Sequence, residues 1–245
     1  MNLKDVRAAL MAPSSPAYET EATVELPAPA QRYFAFAAHG LTTPHAVGLR
    51  MRGEIRPNPR GAWLPFTARQ IIAPGRGFAW EASAGRGLLR LVGGDYYFRN
   101  EARVAFRLWN LLPVVRAAGP DIARSARGRL AMEAIFLPCS LRHAAWEARD
   151  EHTARCVQTI DGETLWFDLT VDERGVPRHV DMLRWSDQTD DKRFTPVPFG
   201  VNILAMQRFG DWELPGQINV GWHRGANRYA TGEFFRARII AAEFY

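Results

Sequence analysis

The stretch RGRLAMEAIFLPCSL, residues 127–141, is the most hydrophobic helical pattern in the sequence. Between Leu130 and Leu137 it holds seven apolar residues and a single carboxylate, Glu133. A glycine and a proline at 119–120 are typical of a helix start, and Pro138 is typical of a helix end. The pattern therefore predicts one helix near the middle of the chain, with an acid inside its apolar segment.

The position of Glu133 on that helix has an energetic consequence. On a helical wheel it falls within about 60° of Ala126, Leu130 and Leu137, so it shares their apolar stripe. If the stripe faces the core, an unpaired carboxylate there costs several kcal/mol. Glu133 must then pair with an arginine, accept hydrogen bonds, or keep a proton with a raised pKa.

Three interpretations of Glu133 stay open. It could form a structural ion pair between helix and sheet, with Arg69 or Arg184 on strand segments as candidate partners. It could line a cavity as an acid, a base or a ligand anchor, because perturbed carboxylates gather at functional sites. Finally, the helix could be rotated so that Glu133 faces solvent.

On both sides of this helix the pattern changes to that of strands. Apolar and polar residues alternate in VGLRMRGEIR and WLPFTARQII, and GRGFAWEASAGRG is typical of a short strand between two glycine turns. The segments after the helix, up to RHVDMLRWSD, are typical of hairpins, and FFRARIIAAEF predicts a final strand. Two helices are predicted before the first strand, the second of them over LPAPAQRYFAFAAHG, ending at Gly40.

This order of elements predicts the fold class. Helix, strands, helix and strands indicate an α+β protein with one large curved antiparallel β-sheet, a half-open barrel, wrapped around the central helix. We assign residues 1–25 to an N-terminal helix and connector. Residues 26–245 form a single domain in this interpretation, because no change of composition separates two cores.

The composition narrows the classes of partner. A chain of 245 residues with 47% apolar residues can bury a sizeable core. Its 31 basic and 26 acidic residues are scattered, so we expect an arginine-rich solvated surface and no nucleic-acid partner. No apolar run is long enough for a membrane span or a signal peptide, so we expect no transmembrane segment and a cytoplasmic location. Cys139 and Cys156 are expected to be reduced.

Several other residues are candidates for a ligand site. The candidate ligand-binding residues are Arg69, Gln70, Trp80, Asp95, Tyr97, Trp146 and Trp222. Gln70 is a polar residue among apolar neighbours on its strand face, as Glu133 is on its helix. Asp95 follows two glycines, so it either caps a turn or lines a pocket. The tryptophans either fill the core or line a pocket for a flat apolar ligand.

The motifs of cofactor and metal enzymes do not occur in the sequence. It contains no phosphate-binding loop, no glycine motif for dinucleotides, and no zinc-protease or serine-hydrolase signature. The six histidines are dispersed, without the spacing of metal ligands. We therefore expect no metal and no cofactor.

The chain resembles a bacterial family known only as a domain of unknown function. The matching pieces run from residue 26 onward and include LPAPAQRYF, WLPFTARQ, GFAWEA, GDYY, RLAMEAIFLPCSL and GDWELPGQINVGW. The resemblance implies no established activity. The strand–helix–strand order is also similar to half-barrels of the lipoprotein-carrier type, which implies a cavity for acyl chains or other apolar molecules and, on one such scaffold, a cofactor-free enzyme.

Two hypotheses of different classes follow. In the first, the protein binds an apolar or aromatic small molecule inside the curved sheet, anchored by a buried pair of Glu133 and an arginine. In the second, it is a cofactor-independent isomerase, cyclase or lyase of specialised metabolism. Glu133 would then be the catalytic acid or base, and Arg184 or Arg69 would stabilise a developing negative charge. Binding predicts a Glu133 held in an ion pair, whereas catalysis predicts a free carboxyl near Tyr97 or an indole N–H.

Overall fold

The computed structural model describes residues 1–13, 25–37, 43–87, 89–225 and 229–245. The predicted helix end at Gly40 and most of the connector before residue 25 lie outside these ranges. The described helices are α1 (Leu3–Met11), α2 (Ala28–Ala37), α3 (Pro120–Glu133) and α4 (Tyr229–Gly232), with 3₁₀ turns at Ala134–Phe136 and Pro138–His143.

Most of the described chain is β-strand. The strands are β1 (Val47–Ile55), β2 (Leu64–Ala73), β3 (Gly77–Arg86), β4 (Leu89–Phe98), β5 (Glu101–Leu108), β6 (Leu112–Ala118), β7 (Ala145–Ala148), β8 (Thr153–Ile160), β9 (Glu163–Val171), β10 (Pro177–Ser186), β11 (Thr195–Phe209), β12 (Trp212–Trp222) and β13 (Glu233–Phe244). In the described residues, these thirteen strands form a single antiparallel sheet. The large antiparallel sheet expected from the sequence is therefore confirmed.

The strand order explains how the central helix is placed. The order is β6-β5-β4-β3-β2-β1-β13-β12-β11-β10-β9-β8-β7, so two runs of hairpins meet where the first strand pairs with the last. The edges of the sheet are then β6 and β7, which are consecutive in the chain. Helix α3 and the 3₁₀ turns are the connection between those two edges, and they have to cross one face of the sheet.

Contacts of α3 show that the sheet curves around it. The helix contacts β3, β4, β5 and β6 from one half and β8, β9 and β10 from the other. Strands β5 and β9 are nine positions apart in the strand order, about 40 Å in a flat sheet. A helix of 14 residues is only about 21 Å long. The two halves must therefore bend toward each other, and α3 lies on the concave side.

The convex side carries α1 instead. Asn2 caps this helix by accepting hydrogen bonds from the backbone N–H groups of Lys4 and Asp5. Its buried residues Val6 and Leu10 are four apart, so they share one helix face. They pack against a separate apolar cluster that includes Ile71, Ala79 and Tyr96 of β2, β3 and β4. Both N-terminal helices exist in the described residues, but α1 covers the outside of the sheet, whereas α2 packs against β7, β8, β9 and β12.

The alternation of strand residues separates the two faces in β2, β3 and β4. Since Ile71, Ala79 and Tyr96 point outward, their chain neighbours Gln70, Trp80 and Asp95 point toward α3. In the described part of the chain, no helix is long and apolar enough to cross a membrane. The division of the chain at residue 25 stays a prediction.

Candidate functional site

A row of three polar side chains crosses the concave face. Gln70 of β2 lies directly opposite Trp80 of β3, and Trp80 lies directly opposite Asp95 of β4. Directly opposed residues of antiparallel strands have their Cβ atoms about 5 Å apart, so these three side chains are immediate neighbours. The approach of β3 and β4 depends on Gly94, where an added Cβ would lie 1.9 Å from the Trp80 carbonyl oxygen.

Helix α3 faces this row with an ion pair of its own. Arg129 and Glu133 are one turn apart, and Arg129 Nε donates to Glu133 Oε1 at 2.7 Å. Gln70 Nε2 donates to the other carboxylate oxygen at 2.7 Å, and Arg129 Nη1 donates to Asp95 Oδ2 at 2.6 Å. The guanidinium also lies over the Phe78 ring, 4.3 Å from its centroid. One arginine thus joins two carboxylates, one on the helix and one on the sheet.

The charges of this cluster are only partly screened by solvent. The side chains of Arg129, Asp95 and Glu133 are 20%, 19% and 18% exposed, respectively. Burial raises the pKa of both carboxyls, although the neighbouring Arg129 charge acts in the opposite direction. Burial alone would lower the pKa of Arg129, but the two carboxylates outweigh it and raise that pKa. Arg129 is therefore the fixed charge, and the carboxyls are the groups inclined to take up a proton.

Two buried polar atoms of the row have no hydrogen-bond partner among the described residues. They are the indole nitrogen of Trp80 and the Oδ1 oxygen of Asp95. A buried polar group without a partner costs about 1–3 kcal/mol, and such groups are rare in folded proteins. Since the two residues are directly opposed, a donor and an acceptor without partners come from neighbouring strands of the row.

A second arginine enters the concave side from the other half of the sheet. Arg184 of β10 donates from Nε to the Ser125 carbonyl oxygen of α3 at 2.9 Å. Its guanidinium lies 4.7 Å from the Phe199 ring centroid and 5.2 Å from that of Trp222. Burial and the nearby Arg129 charge lower the pKa of Arg184 to about 10, so it is still cationic at neutral pH.

A set of contacting aromatic rings connects the two halves of the site. We call this set the aromatic wall: Phe66, Trp80, Phe106, Phe199, Trp222, Phe234 and Phe235. Successive ring centroids are 4.6 to 6.4 Å apart, which is the range of favourable aromatic pairs. All seven belong to the core on the α3 side or pack against it. Four of them, Phe106, Trp222, Phe234 and Phe235, are only half-buried.

One end of the aromatic wall borders a pocket. Trp222 and Phe234 line a pocket of about 550 Å³, together with polar residues such as Arg56, Arg60 and Lys192. Its volume falls in the range of small-molecule sites. The pocket combines aromatic surface with a basic rim, and it lies beside the ring over which Arg184 is placed.

The predicted partner of Glu133 was wrong. We expected Arg69 or Arg184, but the ion-pair partner is Arg129. Arg69 follows the alternation of β2 onto the convex face, where its side chain is 61% exposed and pairs with Glu81. It is therefore not a ligand-binding residue of the concave site. Arg184 is close enough to interact electrostatically with Glu133 but makes no ion pair with it.

Two other expected site residues lie elsewhere in the core. Trp146 packs edge-on against Phe34 and Phe167, and its indole N–H donates to the Leu141 carbonyl oxygen at 3.0 Å. Tyr97 is fully buried and bonds to Asp161 and to Arg127, which precedes Arg129 by two residues on α3. The expectation that Trp146 and Tyr97 belong to the ligand site is therefore corrected.

The structure gathers the remaining candidates on the concave side. Gln70, Trp80, Asp95 and Glu133 are in one cluster, and Arg184 and Trp222 are in contact beside it. The site residues that the sequence analysis missed are Arg129 and most of the aromatic wall. Arg129 could have been predicted, because an arginine four positions before a glutamate on a helix can form an ion pair with it. In the described residues, no group of three histidine, cysteine, aspartate or glutamate side chains could hold a metal ion.

The fold and the site define a class of α+β protein in which an open antiparallel sheet curves around one crossing helix and encloses a polar cluster beside aromatic rings. The chain belongs to a family of unknown function, DUF6544, whose sequence profile matches residues 16–234. The expected membership in a family of this kind is thereby confirmed. No curated protein matches the sequence.

Three solved structures have a similar arrangement at low sequence identity. One is a domain assigned as an outer membrane lipoprotein-sorting protein from Vibrio parahaemolyticus, with 9% identity, a TM-score of 0.47, and 88% of this chain and 90% of that one covered. The second is a LolA superfamily protein from Nitrosomonas europaea, with 10% identity, a TM-score of 0.43, and 91% and 94% covered. The third is a DUF1329 family protein from Desulfovibrio piger, with 12% identity, a TM-score of 0.40, and 88% and 90% covered.

Proposed function

We propose that the protein binds an apolar or aromatic small molecule on the concave side of its sheet. The observation that carries this proposal is the aromatic wall: four of its seven contacting rings are only half-buried, and two of these four, Trp222 and Phe234, line a pocket of about 550 Å³. Rings that serve only as core are normally covered by other side chains. Covering about 100 Å² of such surface with a ligand contributes roughly 2.5 kcal/mol.

The polar row supplies the specificity of the proposed site. Trp80 offers an indole N–H and Asp95 offers a carboxylate oxygen, and neither atom has a partner among the described residues. A ligand hydroxyl could accept from the first and donate to the second. The pair of Glu133 and Arg129 keeps the row in place, so it serves as the buried Glu/Arg anchor of the site through Asp95 and Gln70.

The enzymatic alternative would use Glu133 as a general acid or base. That role needs a carboxyl that can exchange a proton with a substrate. Glu133 has one oxygen bonded to Arg129 and the other to Gln70, and Tyr97 bonds to Arg127 and Asp161 instead. This geometry favours binding over catalysis, so we propose a binding protein.

The two cysteines support a reducing compartment for this function. Cys139 and Cys156 are both buried and both free. Burial raises the pKa of the Cys139 thiol to about 11, so the thiol form dominates at neutral pH. Protected thiols without a disulfide fit the cytoplasmic location that we propose.

The first test is native mass spectrometry, with organic extraction, of the protein purified from its own host. We expect a co-purifying apolar or aromatic molecule at stoichiometric amount. The second test titrates the purified protein with phenylnaphthylamine, an uncharged apolar dye whose fluorescence rises on binding. Absence of both a co-purifying molecule and dye binding would overturn the proposal.

A matched pair of variants locates the binding surface. Trp222 and Trp166 are both half-buried tryptophans on strands, but Trp222 belongs to the aromatic wall and Trp166 packs under Arg155. Trp222→Ala should weaken dye binding about tenfold, which corresponds to about 1.4 kcal/mol. Trp166→Ala should leave the affinity unchanged. Equal losses in both variants would place the dye outside the concave site.

A further inference from the structure

Arg184 differs in its bonding from four other enclosed arginines of the molecule. Arg127, Arg129, Arg155 and Arg224 each have side chains at most 20% exposed, and each forms an ion pair with a carboxylate. Arg184 forms no ion pair with any carboxylate in the described ranges. Its Nη1 and Nη2 groups also make no hydrogen bond to any described residue, since its bond to Ser125 uses Nε.

The surroundings of Arg184 hold its guanidinium in place. The aliphatic part of the side chain lies along α3 at Gly128, where an added Cβ would come within 3.5 Å of Arg184 Cγ. The guanidinium lies over Phe199 and Trp222, and Nε is fixed by the helix backbone. The position of the group is therefore set by packing on three sides, while its terminal N–H groups stay unmatched.

The two carboxylates that act on Arg184 do not neutralise it directly. Asp95 and Glu133 act on it electrostatically, but each bonds to Arg129. The terminal N–H groups of Arg184 are not among the buried polar atoms without a partner, so they are open to solvent and available to a ligand. A planar fork of N–H donors suits a carboxylate or a similar oxyanion, which it can bind through two parallel hydrogen bonds.

We propose that the ligand is an amphipathic monoanion, whose carboxylate-like oxyanion pairs with the terminal N–H groups of Arg184 and whose apolar body lies along the aromatic wall from Phe199 and Trp222. This inference rests on the proposed binding function and adds the chemical class of the ligand. A single negative charge fits better than two, because Asp95 and Glu133 are close and repel additional charge. Uncharged hydrocarbons and cations are excluded as the preferred ligands.

The test compares two probes with the same ring system. Anilinonaphthalene sulfonate carries one oxyanion, and phenylnaphthylamine lacks it. The wild-type protein should bind the sulfonate at least tenfold more tightly than the uncharged probe. Arg184→Met keeps the aliphatic packing against Gly128 and removes the charge. It should abolish the preference for the sulfonate and change the affinity for the uncharged probe less than twofold.

Control variants separate this effect from general surface charge. Arg69→Met removes an arginine from the convex face and should leave the affinities for both probes unchanged. If Arg184→Met does not fold, as judged by its urea unfolding curve, Arg184→Gln is measured instead and should give the same loss of preference.

The outcomes distinguish the two proposals. If neither probe binds to the wild-type protein, both the binding function and the ligand class are overturned. If both probes bind equally well, or if the Arg184 variant weakens both to the same extent, the anionic ligand class is overturned and the binding function stands. A loss of sulfonate preference that also occurs in Arg69→Met overturns the assignment to Arg184.

Discussion

Arg129 and Glu133 lie one turn apart on α3, and the guanidinium that bonds to Glu133 also bonds to Asp95 on the sheet. The ion-pair partner of Glu133 therefore lies on the same helix and not on a strand. The same arginine then connects the helix to β4. Removing the arginine and removing the glutamate should consequently have different effects.

We expect Arg129→Met to be the more damaging of these two changes. It leaves two partly buried carboxyls without their cation, and breaking a buried pair in this way costs about 3–5 kcal/mol. Glu133→Gln leaves Arg129 paired with Asp95 and can still hydrogen-bond to Gln70, so it should cost about 1–3 kcal/mol. Urea unfolding followed by tryptophan fluorescence measures both values. A Glu133→Gln variant less stable than Arg129→Met would contradict the shared role of Arg129.

Two equally buried tryptophans test whether the Trp80 indole N–H is unsatisfied in the free protein. Trp80 and Trp146 are both 6% exposed, but only Trp146 donates its N–H, to the Leu141 carbonyl oxygen. Substitution by phenylalanine removes similar volume at both positions. Trp146→Phe should therefore be less stable than Trp80→Phe by about 1 kcal/mol, because it removes a buried hydrogen bond and leaves the Leu141 carbonyl with only the bond from the Ala144 N–H. Equal losses of unfolding free energy would mean that Trp80 has an acceptor as well.

The acid side of the stability profile should depend on His179. Burial, together with the charge of Arg224, holds its pKa below the usual 6.5. As pH falls through 6.5, the unfolded chain therefore binds more protons than the folded one, and the folded state loses stability. Between pH 7.5 and 5.5, the wild-type protein should lose more stability than His179→Gln. The check is the shift of the urea midpoint in each protein, and equal shifts would show that His179 does not contribute.

The sequence predicted which face of a strand a residue occupies better than it predicted which residues of distant elements that residue contacts. Alternation along β2 placed Gln70 on the core side, and the helical wheel placed Glu133 in the apolar stripe of α3. In the structure, Gln70 Nε2 lies 2.7 Å from Glu133 Oε2. The spacing of four residues on one helix also predicts the ion pair of Arg129 with Glu133, although we did not predict this pair from the sequence. Asp95 meets Arg129 because α3 crosses the face of the sheet over β4, and this tertiary contact leaves no signal in the local sequence.

The lack of long-range information in local sequence patterns also explains why Tyr97 was assigned to the wrong site. Tyr97 is two residues after Asp95 and on the same face, about 7 Å further along the strand. That distance is enough for Tyr97 to meet Arg127 instead of Arg129, two residues earlier on α3. The pairing of β1 with β13, which joins the two halves of the aromatic wall, links residues almost 200 positions apart, and no local pattern encodes such a contact.

Adjacent residues on opposite faces provide the sharpest test of the sheet orientation. Gln70 Nε2 is bonded to Glu133 inside the site, whereas Arg69 pairs with Glu81 outside, with 61% of its side chain exposed. Gln70→Leu removes the partner of a largely buried carboxylate oxygen and should cost about 1–3 kcal/mol. Arg69→Leu removes an exposed ion pair and should cost less than about 1 kcal/mol.

A double-mutant cycle completes this test. If the Gln70 effect arises through Glu133, combining Gln70→Leu with Glu133→Gln should cost less than the sum of the two single changes, because Gln70→Leu removes the hydrogen bond that Glu133→Gln already weakens by removing the carboxylate charge. Arg69→Leu combined with Glu133→Gln should be additive, since the two side chains lie on opposite sides of the sheet. Additive losses for Gln70 and Glu133 would separate Gln70 from the cluster, and coupling between Arg69 and Glu133 would contradict the orientation of β2 itself.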